Sequence, residues 1–163
     1  MFDRVPDAQL VADLVAAQAA AAQLDAGRAA AELIEQLQAW DRVASWVHSR
    51  RLDTMRRFEA ARVAADTDLA ATDDPESLSA SQRAARRRLR AGVVEEAGKF
   101  AAEEIALVLG ISPTSAHKQL ALAHDLHEVH RDLGEALELG QVSEFVASMV
   151  SEATRRLPEQ PGA

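Results

Sequence analysis

The chain has no cysteine, no tyrosine and no asparagine, and aromatic residues make up 4% of its 163 positions. The lack of cysteine excludes disulfides, thiolate metal sites and a cysteine nucleophile. Glycine and proline number only seven and five, and strand-favouring aromatic residues are few. The remainder is rich in alanine and other helix formers. We therefore predict an all-α fold, a multi-helix bundle.

Long apolar runs are also absent. The best candidate for a membrane span, Leu10–Leu24, is interrupted by Asp13, and the first residues, MFDRVPDAQL, show no charged-then-apolar export signal. We therefore expect a soluble, cytoplasmic protein with no membrane partner.

Hydrophobic periodicity divides the chain into helices with short breaks between them. Residues 28–69 lack glycine and proline, which predicts one helix of about 60 Å. In the second helical region we expect a helix from about Leu78 to Gly92, and a helix from Val93 to Phe100 that either continues from it or is kinked relative to it. The predicted organisation is N-terminal helices over 1–71, an acidic linker over 72–77, a helical region over 78–158, and a disordered tail or cut linker over 159–163.

Apolar residues along the 28–69 helix alternate at spacings of four and three, the pattern of a coiled-coil seam. We predict that this seam is mostly buried. We also predict a homo-oligomer, because so long an amphipathic helix exposes more apolar surface than the rest of the chain covers. Trp40 and Trp46 belong to this broad face as core or interface residues. The core and oligomer seam consists of Leu33, Leu37, Trp40, Ala44, Val47 and Met55.

Residues 101–123, AAEEIALVLGISPTSAHKQLALA, predict a helix-turn-helix. Gly110 permits a left-handed turn, Ser112 is placed as an N-cap, and Pro113 is placed at the first helical position. The apolar face of a short first helix is formed by Ile105, Ala106 and Leu109. The second helix turns Ala116 and Leu120 inward.

Polar side chains remain on the outer and N-terminal surface of that second helix, which enters the major groove in DNA-binding versions of the motif. None of them is arginine, whose bidentate contact with guanine dominates direct readout, so we expect modest sequence specificity. The candidate DNA-contacting residues are Thr114, Ser115, His117, Lys118 and Gln119.

The net charge of −8 is unevenly distributed. Residues 81–124 carry seven basic and four acidic residues, a net of +3, whereas the other 119 carry eleven and twenty-two, a net of −11. Arg83, Arg87 and Arg90 align at spacings of four and three ahead of the motif. They are candidate contacts to DNA phosphates, or else an ordinary solvated helix face that pairs with the acidic body.

No catalytic motif is found: the glycines are dispersed and no serine lies in a nucleophile elbow. His124, His127 and His130 follow one another at spacings of three, so two of them, such as His124 and His127, could share a divalent metal. The alternative is a solvated, polar helix end. We therefore predict no catalytic residue, no cofactor and no enzymatic activity for this chain.

The segment EIALVLGISPTSAHKQL resembles the helix-turn-helix of LuxR-type response regulators. Residues 30–158, with blocks such as LIEQLQAWDRVASWVHSRRLD and LGEALELGQVSEFVASMVSEATRRLP, resemble the actinobacterial domain-of-unknown-function family 222. In most members this region precedes an HNH endonuclease domain. The resemblance therefore implies either an N-terminal fragment or a short stand-alone member. The nuclease itself is not encoded here, because an HNH site needs an asparagine.

These features predict a non-catalytic DNA-binding or DNA-targeting module associated with an HNH endonuclease. The alternative is a helical oligomerisation or partner-binding module in which the helix-turn-helix is only structural. The arginines and Lys118 favour the first function, whereas the net charge and the long seam favour the second.

Overall fold

The computed structural model describes residues 5–21, 26–69 and 79–156, and every regular element within these ranges is helical. The all-α prediction is therefore confirmed. The elements are α1 (Ala8–Ala21), α2 (Ala26–Leu69), α3 (Ala80–Leu109), α4 (Pro113–His124), a π-helical segment (Asp125–Val129), α5 (Arg131–Glu138) and α6 (Glu144–Arg155). None of these helices is both long enough and apolar enough to cross a membrane. The predicted linker 72–77 and tail 159–163 lie outside the described residues.

The chain divides into two compact units. The first unit comprises Met1–Arg51 and His124–Ala163, and the second comprises Leu52–Ala123. The first unit therefore combines both ends of the chain. The division predicted from the sequence instead cuts the chain into consecutive segments. The helix-turn-helix lies wholly within the second unit.

The core of the first unit forms where α1 packs on α2. Asp7 caps α1 by accepting a hydrogen bond from the Leu10 backbone N–H at 2.7 Å. Leu10 and Leu14, four residues apart, lie on one face of α1 and are fully buried. They cluster with Ala39 and Val43 of α2, and the partly buried Val11, Ala17 and Trp40 pack against this cluster.

The long helix α2 has 44 residues, as its uninterrupted pattern predicts, but the prediction of a mostly buried seam is wrong. Leu33, Leu37 and Val47 are 46%, 68% and 51% exposed, Ala44 is exposed and Trp40 is half-buried. Of the predicted seam only Met55 is buried. The buried residues of α2 are Gln36, Ala39, Val43, Ser45, His48, Leu52 and Met55.

Three of these buried residues, Gln36, Ala39 and Val43, each precede a predicted seam residue. The buried stripe is therefore turned about 100° around the helix axis from the predicted one. The physical reason is the docking of α1, whose leucines cluster with the small Ala39 and with Val43. The apolar face of α2 is broader than the part that this docking covers.

The second unit contains α3, a continuous helix of 30 residues. Of the two alternatives at Gly92, the structure shows the continuous helix. The prediction of a short first helix in the helix-turn-helix is wrong, because that helix is the end of α3. A glycine inside a helix costs about 1 kcal/mol relative to alanine, which the long run of helix formers around Gly92 outweighs. The second unit has a core of small and aliphatic residues, among them Leu52, Met55, Ala97, Ala101, Ala102, Ile105, Ala106, Ala116 and Leu120.

The π-helical segment is joined to α6 by polar contacts of Asp125. Its carboxylate accepts hydrogen bonds from the Ser151 hydroxyl and from the Arg155 guanidinium at 2.6 Å. Ser143 caps α6 by accepting from the backbone N–H of Val146 at 3.3 Å. These contacts place α6, Glu144–Arg155, against the π-helical segment.

Candidate nucleic-acid interface

The turn of the helix-turn-helix has the geometry that its sequence predicts. Gly110 adopts the left-handed conformation, with φ of +64°, at no steric cost because it lacks a Cβ. The Ile111 N–H donates to the Ala106 carbonyl at 3.0 Å and the Gly110 N–H to the Leu107 carbonyl at 3.4 Å. These two bonds form a Schellman motif, which satisfies carbonyl groups at the end of α3.

The second helix of the motif, α4, begins as predicted. The Ser112 hydroxyl accepts a hydrogen bond from the Ser115 backbone N–H at 3.1 Å, and Pro113 occupies the first helical position. Ala116 and Leu120 are buried at 0% and 4% exposure. The second helix therefore starts three residues after the turn glycine and keeps its apolar face inward.

The five candidate DNA-contacting residues of α4 separate into two groups. Thr114, His117 and Lys118 are exposed, whereas Ser115 and Gln119 are half-buried. The Ser115 hydroxyl lies 2.9 Å from that of Ser112, and the Gln119 carbonyl oxygen is buried with no hydrogen-bond partner in the described part of the chain. The accessible polar surface of α4 is therefore smaller than the sequence predicts, because the helix turns Gln119 partly inward.

The predicted phosphate-contacting arginines lie in the first half of α3. Residues 80–92 contain five arginines and no acidic residue. Arg83 and Arg87 are exposed, and neither forms an ion pair with another residue that the structure describes. The side chain of Arg90 lies outside the described part of α3. Both a phosphate-contacting stripe and an ordinary solvated helix face are consistent with this exposure.

The second half of α3 is acidic but partly neutralised. Lys99 donates to Glu95 at 2.7 Å, and this hydrogen bond, together with the charge attraction, lowers the pKa of Glu95 and raises the pKa of Lys99. Glu104 pairs with Arg62 of α2 at 3.3 Å. Sequence reasoning missed this pair, because Arg62 and Glu104 are brought together only when α2 and α3 pack.

The histidines that follow α4 are engaged separately. The His124 Nδ1 lies 3.5 Å from Glu128, and His130 hydrogen-bonds the Thr154 hydroxyl at 2.8 Å. His127 is exposed. Within the described ranges no three histidine or acidic side chains are grouped so that they could hold a metal ion. The structure thus does not bring the weak candidates His124 and His127 into a site.

A second polar cluster lies in a cleft of about 470 Å³ in the first unit, formed by α2 and the start of α6. His48 is 6% exposed, and its Nδ1 lies 3.0 Å from a guanidinium nitrogen of Arg51 and 3.0 Å from Glu144 Oε2. Burial and, to a lesser extent, the charge of Arg51 lower the pKa of His48 to about 4. The imidazole is therefore neutral at pH 7, and its contact with Glu144 is not an ion pair.

Exposed apolar residues next to the turn were also missed by sequence reasoning. Leu107 and Val108 are 84% and 83% exposed. The run IALVL of residues 105–109 signals this feature, because five consecutive apolar residues surround a helix and cannot all face one core.

Comparison of the chain with models of protein families, with curated proteins and with solved structures gave no match.

Proposed function

We propose that the chain is a non-catalytic DNA-binding module in which α4 enters the major groove. The observation that carries this proposal is the helix-turn-helix at Gly110, whose second helix leaves Thr114, His117 and Lys118 exposed. A lysine can hydrogen-bond a guanine edge or a phosphate, and a threonine methyl can contact the methyl group of thymine. The resemblance to family 222 supports a role in targeting an associated HNH nuclease to DNA.

The distribution of charge between the two units also supports DNA binding by the unit that contains the helix-turn-helix. The second unit carries ten basic and eleven acidic residues, a net of −1, whereas the first carries eight and fifteen, a net of −7. Phosphates are therefore repelled least by the unit that contains the motif. Glu104 adds little repulsion because Arg62 neutralises it.

The test is fluorescence anisotropy with a labelled duplex of mixed sequence, titrated at salt concentrations from about 50 to 200 mM. We expect the combined substitution Arg83→Ala, Arg87→Ala and Arg90→Ala to weaken binding to all sequences alike. Each lost phosphate contact should also flatten the slope of log affinity against log salt by about 0.9. The charge-matched control is Arg57→Ala, Arg131→Ala and Arg156→Ala, which should leave the slope near that of the wild type.

The contribution of α4 is tested separately with Lys118→Ala. We expect it to change the ranking among duplexes of different sequence, because a base contact is lost, whereas Lys99→Ala removes the same charge and should not. The proposal is overturned if the wild-type chain binds no duplex at low salt. If the wild-type chain binds and both arginine triple variants bind equally well, DNA binding stands but the arginines make no phosphate contact.

A second candidate function is homo-oligomerisation through α2. The observation that favours it is the exposure of Leu33, Ile34, Leu37 and Val47 on one helix. Soluble monomers rarely leave large contiguous apolar patches uncovered, and a second copy could cover this one. In that case the motif serves only to pack α3 against α4.

A further inference from the structure

The two parts of the proposed DNA surface lie at opposite ends of one helix. Arg83 and Arg87 lie near the start of α3, and the turn at Gly110 follows its last residue, Leu109. Because α3 is continuous, the distance between the two parts follows from the helical rise of 1.5 Å per residue. The distance along the helix axis from Arg87 to Ile105, near the end of α3, is about 27 Å. From Arg83 to Ile105 it is about 33 Å.

The two parts also lie on the same side of α3. Eighteen residues complete five helical turns, so Arg83 lies in line with Ala101, and Arg87 lies in line with Ile105. Both Ala101 and Ile105 are buried, at 0% and 7% exposure. Ile105 belongs to the inner face of the helix-turn-helix. Arg83 and Arg87 therefore lie on the same side of α3 as the buried Ala101 and Ile105, but in the first half of the helix, where this side is exposed.

Charge along α3 separates the two parts. Residues 80–92 carry five arginines and no acid, whereas residues 93–109 carry four glutamates and one lysine. Positive charge returns only beyond the turn, with Lys118 of α4. A polyanion that follows the arginine side of α3 is therefore attracted at its two ends. The exposed Glu96 and Glu103 lie about 180° and 160° around the helix from Arg87, on the far side.

One turn of duplex DNA is about 34–36 Å long, or about 10 base pairs. The axial distance of about 33 Å from Arg83 to Ile105, which lies in the last turn or so of α3 before the recognition helix, is close to this length. We infer that α3 is a spacer that places the stripe on phosphates about one helical turn from the groove that α4 enters. The ligand is then a continuous duplex of about 15 base pairs or more, bound at two points. This inference rests on the proposed function.

The test measures affinity against duplex length, with labelled duplexes of about 10 and 24 base pairs that share the same central sequence. Two-point binding should make the wild-type chain bind the longer duplex at least about tenfold more tightly per site. The Arg83→Ala, Arg87→Ala, Arg90→Ala variant should lose this advantage while binding the short duplex as the wild type does. The charge-matched variant of Arg57, Arg131 and Arg156 should keep the advantage.

The possible failures are distinguishable. If the wild-type chain binds neither duplex, the proposed function itself is wrong. If it binds both duplexes equally per site, DNA binding stands but the two-point arrangement is overturned. The same conclusion follows if the arginine variant loses equal affinity for both lengths, because the stripe then contacts DNA beside the recognition helix. The inference is supported if the wild-type chain and the charge-matched variant bind the longer duplex more tightly per site, and the variant of Arg83, Arg87 and Arg90 does not.

Discussion

At the scale of single residues, two glycines with the same conformation have different surroundings. Gly110 and Gly140 have φ of +64° and +70°, and both end a helix in a Schellman motif. A Cβ added at Gly110 would meet nothing within 4 Å, whereas one added at Gly140 would lie 2.7 Å from the Cβ and 2.9 Å from the Cα of Arg42. Gly140 is therefore required both for its conformation and for the close approach of α2.

We expect Gly110→Ala to lower the free energy of unfolding by about 1–2 kcal/mol, the cost of an alanine in the left-handed region. Gly140→Ala should cost about 1–3 kcal/mol more, because the backbone of α2 must also move. Urea denaturation followed by circular dichroism measures both. Asparagine tolerates the left-handed conformation, so Gly110→Asn should recover most of the loss and Gly140→Asn should not. Equal losses for the two alanine variants would contradict this account.

A second prediction at this scale concerns His48. Its pKa is about 4 in the folded protein and about 6.5 when unfolded, so the unfolded chain binds more protons between these values. Stability is therefore complete above about pH 6.5 and is lost as the pH falls towards 4. As the pH falls from 7 to 5, we expect proton uptake by His48 in the unfolded chain to lower the free energy of unfolding by about 2 kcal/mol.

The measurement is urea denaturation of the wild type and of His48→Gln at both pH values. Glutamine is similar in size to histidine and does not titrate in this pH range, so the variant should lose less stability on acidification than the wild type. Identical pH dependence of the two proteins would show that His48 is not the group responsible.

At the scale of elements, α3 shows how a long helix outweighs a local breaker. Gly92 is exposed and no atom lies within 4 Å of the position of an added Cβ. We therefore expect Gly92→Ala to raise the free energy of unfolding by about 0.8–1 kcal/mol, and the neighbouring Ala91→Gly to lower it by a similar amount. Circular dichroism under urea measures both. If Gly92→Ala destabilises the chain, α3 is interrupted at this residue and the spacing argued for DNA binding fails with it.

At the scale of the whole molecule, the uncovered part of the apolar face of α2 bears on association. We expect the wild-type chain to form a dimer or larger oligomer at tens of micromolar, and the double substitution Leu33→Glu, Leu37→Glu to give a monomer, because charged side chains cannot be buried without partners. Light scattering after size-exclusion chromatography measures the mass. Leu107→Glu introduces a charge on an apolar residue of α3 that is more exposed than either leucine, and it serves as the control. A wild-type monomer at this concentration would exclude the oligomer.

Much of the fold follows from the sequence because the signals involved are local. The absence of breaks over residues 28–69, the Gly110 turn, and Ser112 followed by Pro113 act through the geometry of a few neighbouring residues. Those signals predict the long helix, the left-handed turn and the start of α4, and the structure confirms all three. The same reasoning left open whether the helix continues past Gly92. It does continue, because a local cost of about 1 kcal/mol is smaller than the summed preference of the surrounding helix.

Only the tertiary structure decided which part of each helix is covered. The spacing of Leu33, Leu37 and Val47 identifies an apolar face, but the docking of α1 on Ala39 and Val43 determines which stripe is buried. Likewise, the pairing of Arg62 with Glu104 and the partial burial of Gln119 depend on how helices pack within the second unit. The periodicity of a sequence predicts the position of each side chain around its own helix. It contains no information on the direction from which another helix approaches, and burial depends on that direction.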